Sequence, residues 1–440
     1  MSNSSGQKSY VGAFITVTSL FFLWGFLTVF VDSLIPRLRE VFELSYFESG
    51  LVQFAFFMAY FFLSIPAGQL LPRLGYKKGV ILGLGIMGIG CLLFWPAAGY
   101  RIFGLFLAGY FILAGGMTVL QVAANPYVAV LGKPSGAAAR LNLAQAFNSV
   151  GTTLAPILGA LFILSDTIKD SDAIAALSAA ERTAYFAAEA SAVQLPFLVA
   201  ALAILALAGV LIFIKLPQVI DTQVQGSYAA VFKNRKLVLG ALGILVYVGS
   251  EVAIGSYLVN YFLDMNLAEV IRNNSFMSWI AEHTHSDLSK VDGKGIVGTF
   301  VAFYWGGAML GRFVGAGLTA LFPPGRVLTV FGALAITMLL ISMSTTGLVA
   351  MWTILAVGLF NSIMFPTIFT LAISDLGIHK PQGSGVLCTA IVGGAIISPL
   401  FGKFYDLAGF KVAIILLILC YAFIGFYGYF TRKSLAHDAQ

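Results

Sequence analysis

Charge is what this sequence has least of. Only 10% of its 440 residues are charged, while 59% are hydrophobic. An ordinary soluble domain has about 25% charged residues. So few charges cannot cover the chain with a wettable surface, and lipid must supply much of its surroundings. Cysteine is almost absent. Cys91, Cys388 and Cys420 each lie in an apolar run, with no spacing that fits a disulfide framework or a metal site. Histidine is as scarce, and the one close pair, His283 and His285, sits on a polar loop where solvation is the expected fate. No P-loop is present, so ATP is not the expected energy source. The apolar runs contain no nucleophile or metal constellation, which argues against an enzyme, and no large soluble domain suggests a sensor. The net charge of +6 comes from basic residues spread thinly through short loops, a poor footprint for nucleic acid. Gly83, Gly85 and Gly88 spell GxGxxG, but no strand precedes them, so close helix packing explains them better than a dinucleotide site.

What is present is a series of long apolar runs. A spanning helix needs about 20 mostly apolar residues. Twelve runs qualify: 11–35, 46–70, 79–99, 102–131, 141–164, 193–215, 237–263, 295–321, 327–345, 348–374, 384–407 and 410–431. The first is too long for a cleavable signal and has no small-residue cleavage site, so it is expected to remain as a span. The 47 glycines fall inside the runs as well as at their ends, which suits membrane helices that pack through small residues. These features predict an all-α membrane protein with twelve transmembrane helices in two six-helix bundles. The longest polar connection on one face divides it into 1–216, a linker 217–236 and 237–440. Placing both termini in the cytoplasm puts 15 of the 25 Lys and Arg on that side, Arg312 among them, as the positive-inside rule requires. On the opposite face, the alanine-rich loop 165–192 is expected to form a short surface helix.

The halves echo one another. Gln121 and Pro126 recur as Asn361 and Pro366, an offset of 240 residues. Gly151, Pro156 and Gly159 recur as Gly394, Pro399 and Gly402, an offset of 243. Parallel six-helix repeats are the plan of a two-half transporter with its solute bound between the halves.

Polar groups inside spans must find a partner or a wet cavity, which makes them functional candidates. Two carboxylates stand out, Asp32 in the first run and Glu251 in the seventh. A carboxylate held at low dielectric can load a proton near neutral pH. The plainer readings are that Asp32 sits near an interface and that Glu251 pairs with a neighbouring helix. Amides cluster in runs four and five: Gln121 and Asn125 share one helix face, and Gln145 and Asn148 share another. Asn142 lies nearby. Amides donate and accept, which suits a ligand with several hydroxyls. Aromatic rings that a sugar could lie on are Trp24, Tyr247, Tyr257 and Trp305. The plainer readings are helix glue for the amides and lipid contact for the rings.

The connection between runs two and three reads Gly68-Gln69-Leu70-Leu71-Pro72-Arg73-Leu74-Gly75-Tyr76-Lys77-Lys78. It resembles the signature loop of the major facilitator superfamily, G-x-L-x-D-R-x-G-R-K, with Pro72 in place of the acidic residue and Tyr76 in place of an arginine. The stretches FFLWGFLT (21–28), LVQFAFFMAYF (51–61), LQVAANPYV (120–128), RLNLAQAFNSVGTTLAP (140–156), YVGSEVAIGSYLVNY (247–261), FYWGGAMLGRF (303–313) and FPTIFTLAI (365–373) resemble the fucose–galactose–glucose–proton symporter family within it. Within that family the chain looks most like bacterial glucose/galactose transporters, with N-acetylglucosamine carriers next.

The resemblance implies the major facilitator fold and sugar–proton symport by alternating access in a bacterial inner membrane. It implies that Asp32 carries the proton and that Gln145 and Asn148 contact sugar. The family's Asn before that aspartate is Val31 here. Where the fucose branch has glutamate in helix four and glutamine in helix seven, this chain has Gln121 and Glu251, which argues against fucose as substrate. The resulting expectation gives coupling to Asp32 and Glu251. It gives sugar binding to Trp24, Gln121, Asn125, Gln145, Asn148, Tyr247, Glu251 and Asn361. No catalytic residue, metal or cofactor is expected. The coupling ion is H+ with Na+ as the alternative, the partners are a sugar and membrane lipid, and the protein is expected to be a monomer. A sodium-coupled hexose or N-acetylglucosamine symporter, or a drug or metabolite exporter on the same scaffold, are the rival readings.

Overall fold

A computed structural model describes residues 10–33, 42, 46–162, 176–218, 226–283, 288 and 291–435. Among these residues the chain is helical and has no strand. The first span is Val11–Ser33. The second and third form one helical stretch, Tyr46–Gly99, interrupted at Gly75, whose φ of 77° is readily open only to glycine. The signature loop is therefore a single-residue corner between two spans. The fourth span is Phe103–Val130 and the fifth Ala137–Phe162.

The sixth span differs from expectation. It belongs to a continuous helix, Ala179–Phe213, so residues 179–192 of the alanine-rich stretch extend a span, while 165–175 lie outside the described residues. The cause is a capping box: Ser178 Oγ accepts from the Glu181 N–H, and the Glu181 carboxylate accepts from the Ser178 N–H. That cap starts the helix well before the apolar run begins.

The seventh span is Arg235–Asp264, started by Asn234, whose side chain accepts from the Leu237 N–H at 3.1 Å. Two short helices follow, Leu267–Arg272 and Ser275–Glu282. His283 ends the second, with Nδ1 2.7 Å from the Trp279 carbonyl, while His285 lies outside the described residues. The eighth span, Gly293–Leu321, is capped by Asp292. The ninth is Pro324–Ser344. The tenth is broken into Gly347–Asn361 and Met364–Ile373. The eleventh runs from 377 to 408 and contains Lys380–Thr389 and Gly393–Ala408. The twelfth is Phe410–Phe430. With the second and third counted separately, the described residues hold twelve helices at the expected positions, and all but the fifth are long and apolar enough by length and composition to cross a membrane.

The contacts gather into two compact units. One comprises Met1–Lys133, Phe147–Lys233 and Leu376–Thr389. The other comprises Pro134–Ala146, Asn234–Asp375 and Ala390–Gln440. Glycine sets the closest approaches within each. In the first unit, a Cβ on Gly83 would lie 2.8 Å from the Leu120 nitrogen and 2.9 Å from the Gly116 carbonyl, so the third and fourth spans touch backbone to backbone. Gly88 faces Leu205 of the sixth span, whereas Gly85 faces open space. The GxGxxG pattern is thus helix packing at two of its three positions. In the second unit, the eighth and tenth spans meet at Gly311 and Gly358, which lie against Leu359 and Tyr304 respectively.

Candidate functional site

The second unit holds a buried charged network. Tyr247 and Glu251 lie four residues apart on the seventh span and so share a face. The Tyr247 hydroxyl donates to Glu251 Oε1 at 2.7 Å. Arg312, from the eighth span, brings Nη2 to 3.8 Å from the same oxygen, with side chains only 12% and 15% exposed for the arginine and the glutamate. Eight residues before Arg312, on the same face of its helix, Tyr304 points its hydroxyl at the Glu251 carbonyl, 3.5 Å away. Asn361 Nδ2 lies 2.8 Å from the Tyr304 hydroxyl and 3.2 Å from that of Tyr421 on the twelfth span. Asn361 Oδ1 is buried without a hydrogen bond.

The break in the tenth span positions two parts of this network. Proline has no N–H, so Pro366 cannot donate to the carbonyl four residues earlier. That carbonyl is Ser362, and it accepts instead from Arg312 Nε at 3.2 Å. Asn361 is the last residue before the break. Arg312 Nη1 also donates to the Gln145 carbonyl of the fifth span at 3.3 Å.

The first unit holds the other expected residues. Gln121 donates through Nε2 to the Tyr60 hydroxyl of the second span. Asn125 is fully buried, both its amide atoms lack a regular hydrogen bond, and its amide interacts with the Cys388 thiol. Pro126, one residue on, leaves the Val122 carbonyl without its helical donor, and Ser384 Oγ supplies one at 2.8 Å. Asn148 Nδ2 donates to the Phe21 carbonyl at 2.9 Å, fastening the fifth span to the first. Trp24 is buried with its ring centroid 4.0 Å from that of Phe21, a packed position.

The sequence-predicted residues therefore fall into groups. Tyr247, Glu251 and Asn361 come together in the second unit, where Gln145 contributes its carbonyl and is itself buried. Trp24, Gln121, Asn125 and Asn148 belong to the first. Asp32 lies in the first helix, with its side chain outside the described residues. Tyr257 packs against Phe401 and Tyr405, and Trp305 is exposed with one edge over Gly255. Asn142 donates to Thr367 of the tenth span at 3.2 Å.

Sequence reasoning missed Arg312, Tyr304, Tyr421, Tyr60 and Ser384. The positive-inside reading places Arg312 with the cytoplasmic basic residues; the structure instead buries it within a span and pairs it with Glu251. The signal was there: an arginine nine residues inside the end of an apolar run needs a partner. Removing it from the count leaves the basic excess on the same side.

Apolar spans enclosing a carboxylate, a guanidinium, amides and phenols are how a membrane transporter of polar solutes is built. Comparisons with known proteins agree. The chain matches the Major Facilitator Superfamily over residues 10–399. It is 47% identical over 434 residues to a glucose/galactose transporter of Brucella abortus biovar 1 (strain 9-941), covering 98% of this chain and 97% of that one. It is 34% identical over 441 residues to an L-fucose-proton symporter of Escherichia coli (strain K12), covering 98% and 95%. Among solved structures it resembles the major facilitator transporter FucP in its outward conformation. The TM-score is 0.84 at 32% identity, with 96% of this chain and 99% of that chain covered. The chain belongs to the major facilitator superfamily. It is a membrane transporter, not an enzyme.

Proposed function

We propose that the protein is a secondary active transporter that carries a hexose of the glucose/galactose type together with a proton, by alternating access, across a bacterial inner membrane. The observation that carries this reading is Glu251, a carboxylate held at low exposure between a phenol and a guanidinium on three-sided polar packing. A carboxylate so held can exist charged or protonated, and the arginine beside it balances the charged form. The relatives' names, a glucose/galactose transporter and an L-fucose-proton symporter, supply the solute class and the ion.

In this reading Asp32 takes up the driving proton and Glu251 is the second coupling group. The amides of Gln121, Asn125, Gln145, Asn148 and Asn361 meet sugar hydroxyls, and Trp24 and Tyr247 offer ring surface. The buried Oδ1 of Asn361, which has no hydrogen bond, supports this, because a buried acceptor without a donor is costly unless a ligand satisfies it for part of the cycle. The bodies that move are 1–216 and 237–440, both termini are cytoplasmic, and the working unit is a monomer.

The test is Asp32→Asn in proteoliposomes. It should abolish uphill sugar accumulation under an imposed pH gradient while leaving labelled-sugar counterflow at least partly intact. Accumulation at the wild-type level would remove Asp32 from the coupling step.

A further inference from the structure

The Arg312 guanidinium has partners on three spans. Its Nη2 is 3.8 Å from the Glu251 carboxylate of the seventh, longer than a hydrogen bond and held by charge. Its Nε and Nη1 make true hydrogen bonds, at 3.2 and 3.3 Å, to the carbonyls of Ser362 on the tenth and Gln145 on the fifth. The Ser362 carbonyl is available only because Pro366 removed its helical donor. Arg312 thus occupies a gap that the proline opened, at the point where the tenth span is already interrupted.

A guanidinium keeps its charge at every physiological pH, and the two carbonyls never change theirs. Of these three partners only Glu251 can switch charge. We propose that Arg312 is a positioning residue that ties the charge on Glu251 to the break in the tenth span, an inference that rests on reading Glu251 as a coupling group. With Glu251 ionised, the guanidinium is shared between the seventh span and the tenth. When the carboxylate takes a proton from the loading side, its attraction is lost and the arginine is left to its neutral partners, the two carbonyls and the Tyr247 hydroxyl among them. The tenth span is then freed to bend at Ser362–Ile363, where the helix ladder has a gap. When the proton leaves on the other side, the pair re-forms.

The groups that face Glu251 limit what else could act on it. They are Tyr247 on its own helix, Arg312 and Tyr304 on the eighth span, and Tyr421 on the twelfth. The tenth span contributes neutral Asn361, and the eleventh lies against the seventh at Gly249 through Ile397 and Gly393, which carry no charge. Among the described residues named here, Arg312 is the cation beside Glu251.

The test is counterflow of labelled galactose or glucose as a function of pH in proteoliposomes of the full-length protein, comparing wild type with Arg312→Gln, Arg312→Lys, Glu251→Gln and the double variant. Loss of the neighbouring cation makes the carboxylate hold its proton more tightly. Arg312→Gln should therefore move the half-maximal pH of exchange upward by about one unit, a tenfold change in proton affinity. Arg312→Lys should keep the midpoint but slow exchange about tenfold, since an ammonium is a point charge that cannot fork to two carbonyls. Glu251→Gln should lose this midpoint, and the double variant should show no midpoint either, because without a carboxylate there is no charge change for residue 312 to follow.

A wild-type midpoint in Arg312→Gln, with the midpoint lost in Glu251→Gln, would overturn the role of Arg312 and leave the reading of Glu251 standing. A retained midpoint and full accumulation in Glu251→Gln would overturn the reading of Glu251 itself. Should Arg312→Gln fail to fold, Arg312→Lys decides: a wild-type exchange rate there would sever the link to the tenth span.

Discussion

Two prolines do similar work at matching places in the repeat. Pro126 frees the Val122 carbonyl and Pro366 frees that of Ser362, and each carbonyl accepts from a side chain on another span, Ser384 and Arg312. In hydrocarbon a bare carbonyl has no water to turn to, so these donors hold the spans as well as satisfying them. Ser384→Ala should therefore cost about 1–3 kcal/mol, the penalty for a buried acceptor left unpaired. In a Pro126→Ala background the same substitution should cost far less, because residue 126 then regains the N–H that serves Val122. Thermal denaturation of the four proteins in detergent measures this coupling. Equal losses in both backgrounds would show that Ser384 is not serving that carbonyl. At this scale the sequence revealed residue types better than partners. The prolines and amides of the repeat were visible as a pattern. That Pro366 would recruit an arginine eight residues from Tyr304 was not, because the donor comes from a distant span and nothing local to the proline encodes it. Glu251 shows the same limit: its chemistry could be read from its place in an apolar run, but its arginine partner could not.

Helices were the most legible part of the chain, because twenty apolar residues in lipid have few alternatives to helix. The exceptions have local causes. Ser178 and Glu181 form a cap outside the apolar run and so extend the sixth helix into what read as a surface loop. Gly75 turns a loop into a one-residue corner. Pro366 splits the tenth run. Packing between helices is set by the glycines that face a neighbour, and sequence alone does not say which those are. The third span offers a direct contrast. Gly83→Ala forces a Cβ to 2.8 Å from the backbone of the fourth span, which only a backbone shift can relieve, and overpacking of this kind costs about 1–3 kcal/mol. Gly85→Ala meets nothing within 4 Å and should be neutral or stabilising by up to about 1 kcal/mol, the helix-propensity difference. Melting temperatures that fall equally for the two variants would mean that backbone contact between the third and fourth spans is not what holds Gly83.

For the whole molecule, the scarcity of charge points to a membrane protein, and the internal repeat points to a two-half transporter. The repeat does not convey which residues of each half are brought together. Within the first unit the amides of Gln121 and Asn148 are engaged with neighbouring spans, through the Tyr60 hydroxyl and the Phe21 carbonyl. Within the second, the acid, base and phenols form one network. Hexose stereochemistry is read by where a few hydrogen bonds fall, and residue types alone do not fix that placement, so the solute was legible only as a class. The central claim is proton-coupled hexose transport. Uptake of labelled glucose, galactose, fucose and N-acetylglucosamine into proteoliposomes, under an imposed pH gradient or a sodium gradient, tests it most directly. A proton-coupled hexose carrier should accumulate glucose or galactose along the pH gradient and lose that accumulation with a protonophore. Accumulation that follows sodium alone, or no uptake of any of the four sugars, would contradict it.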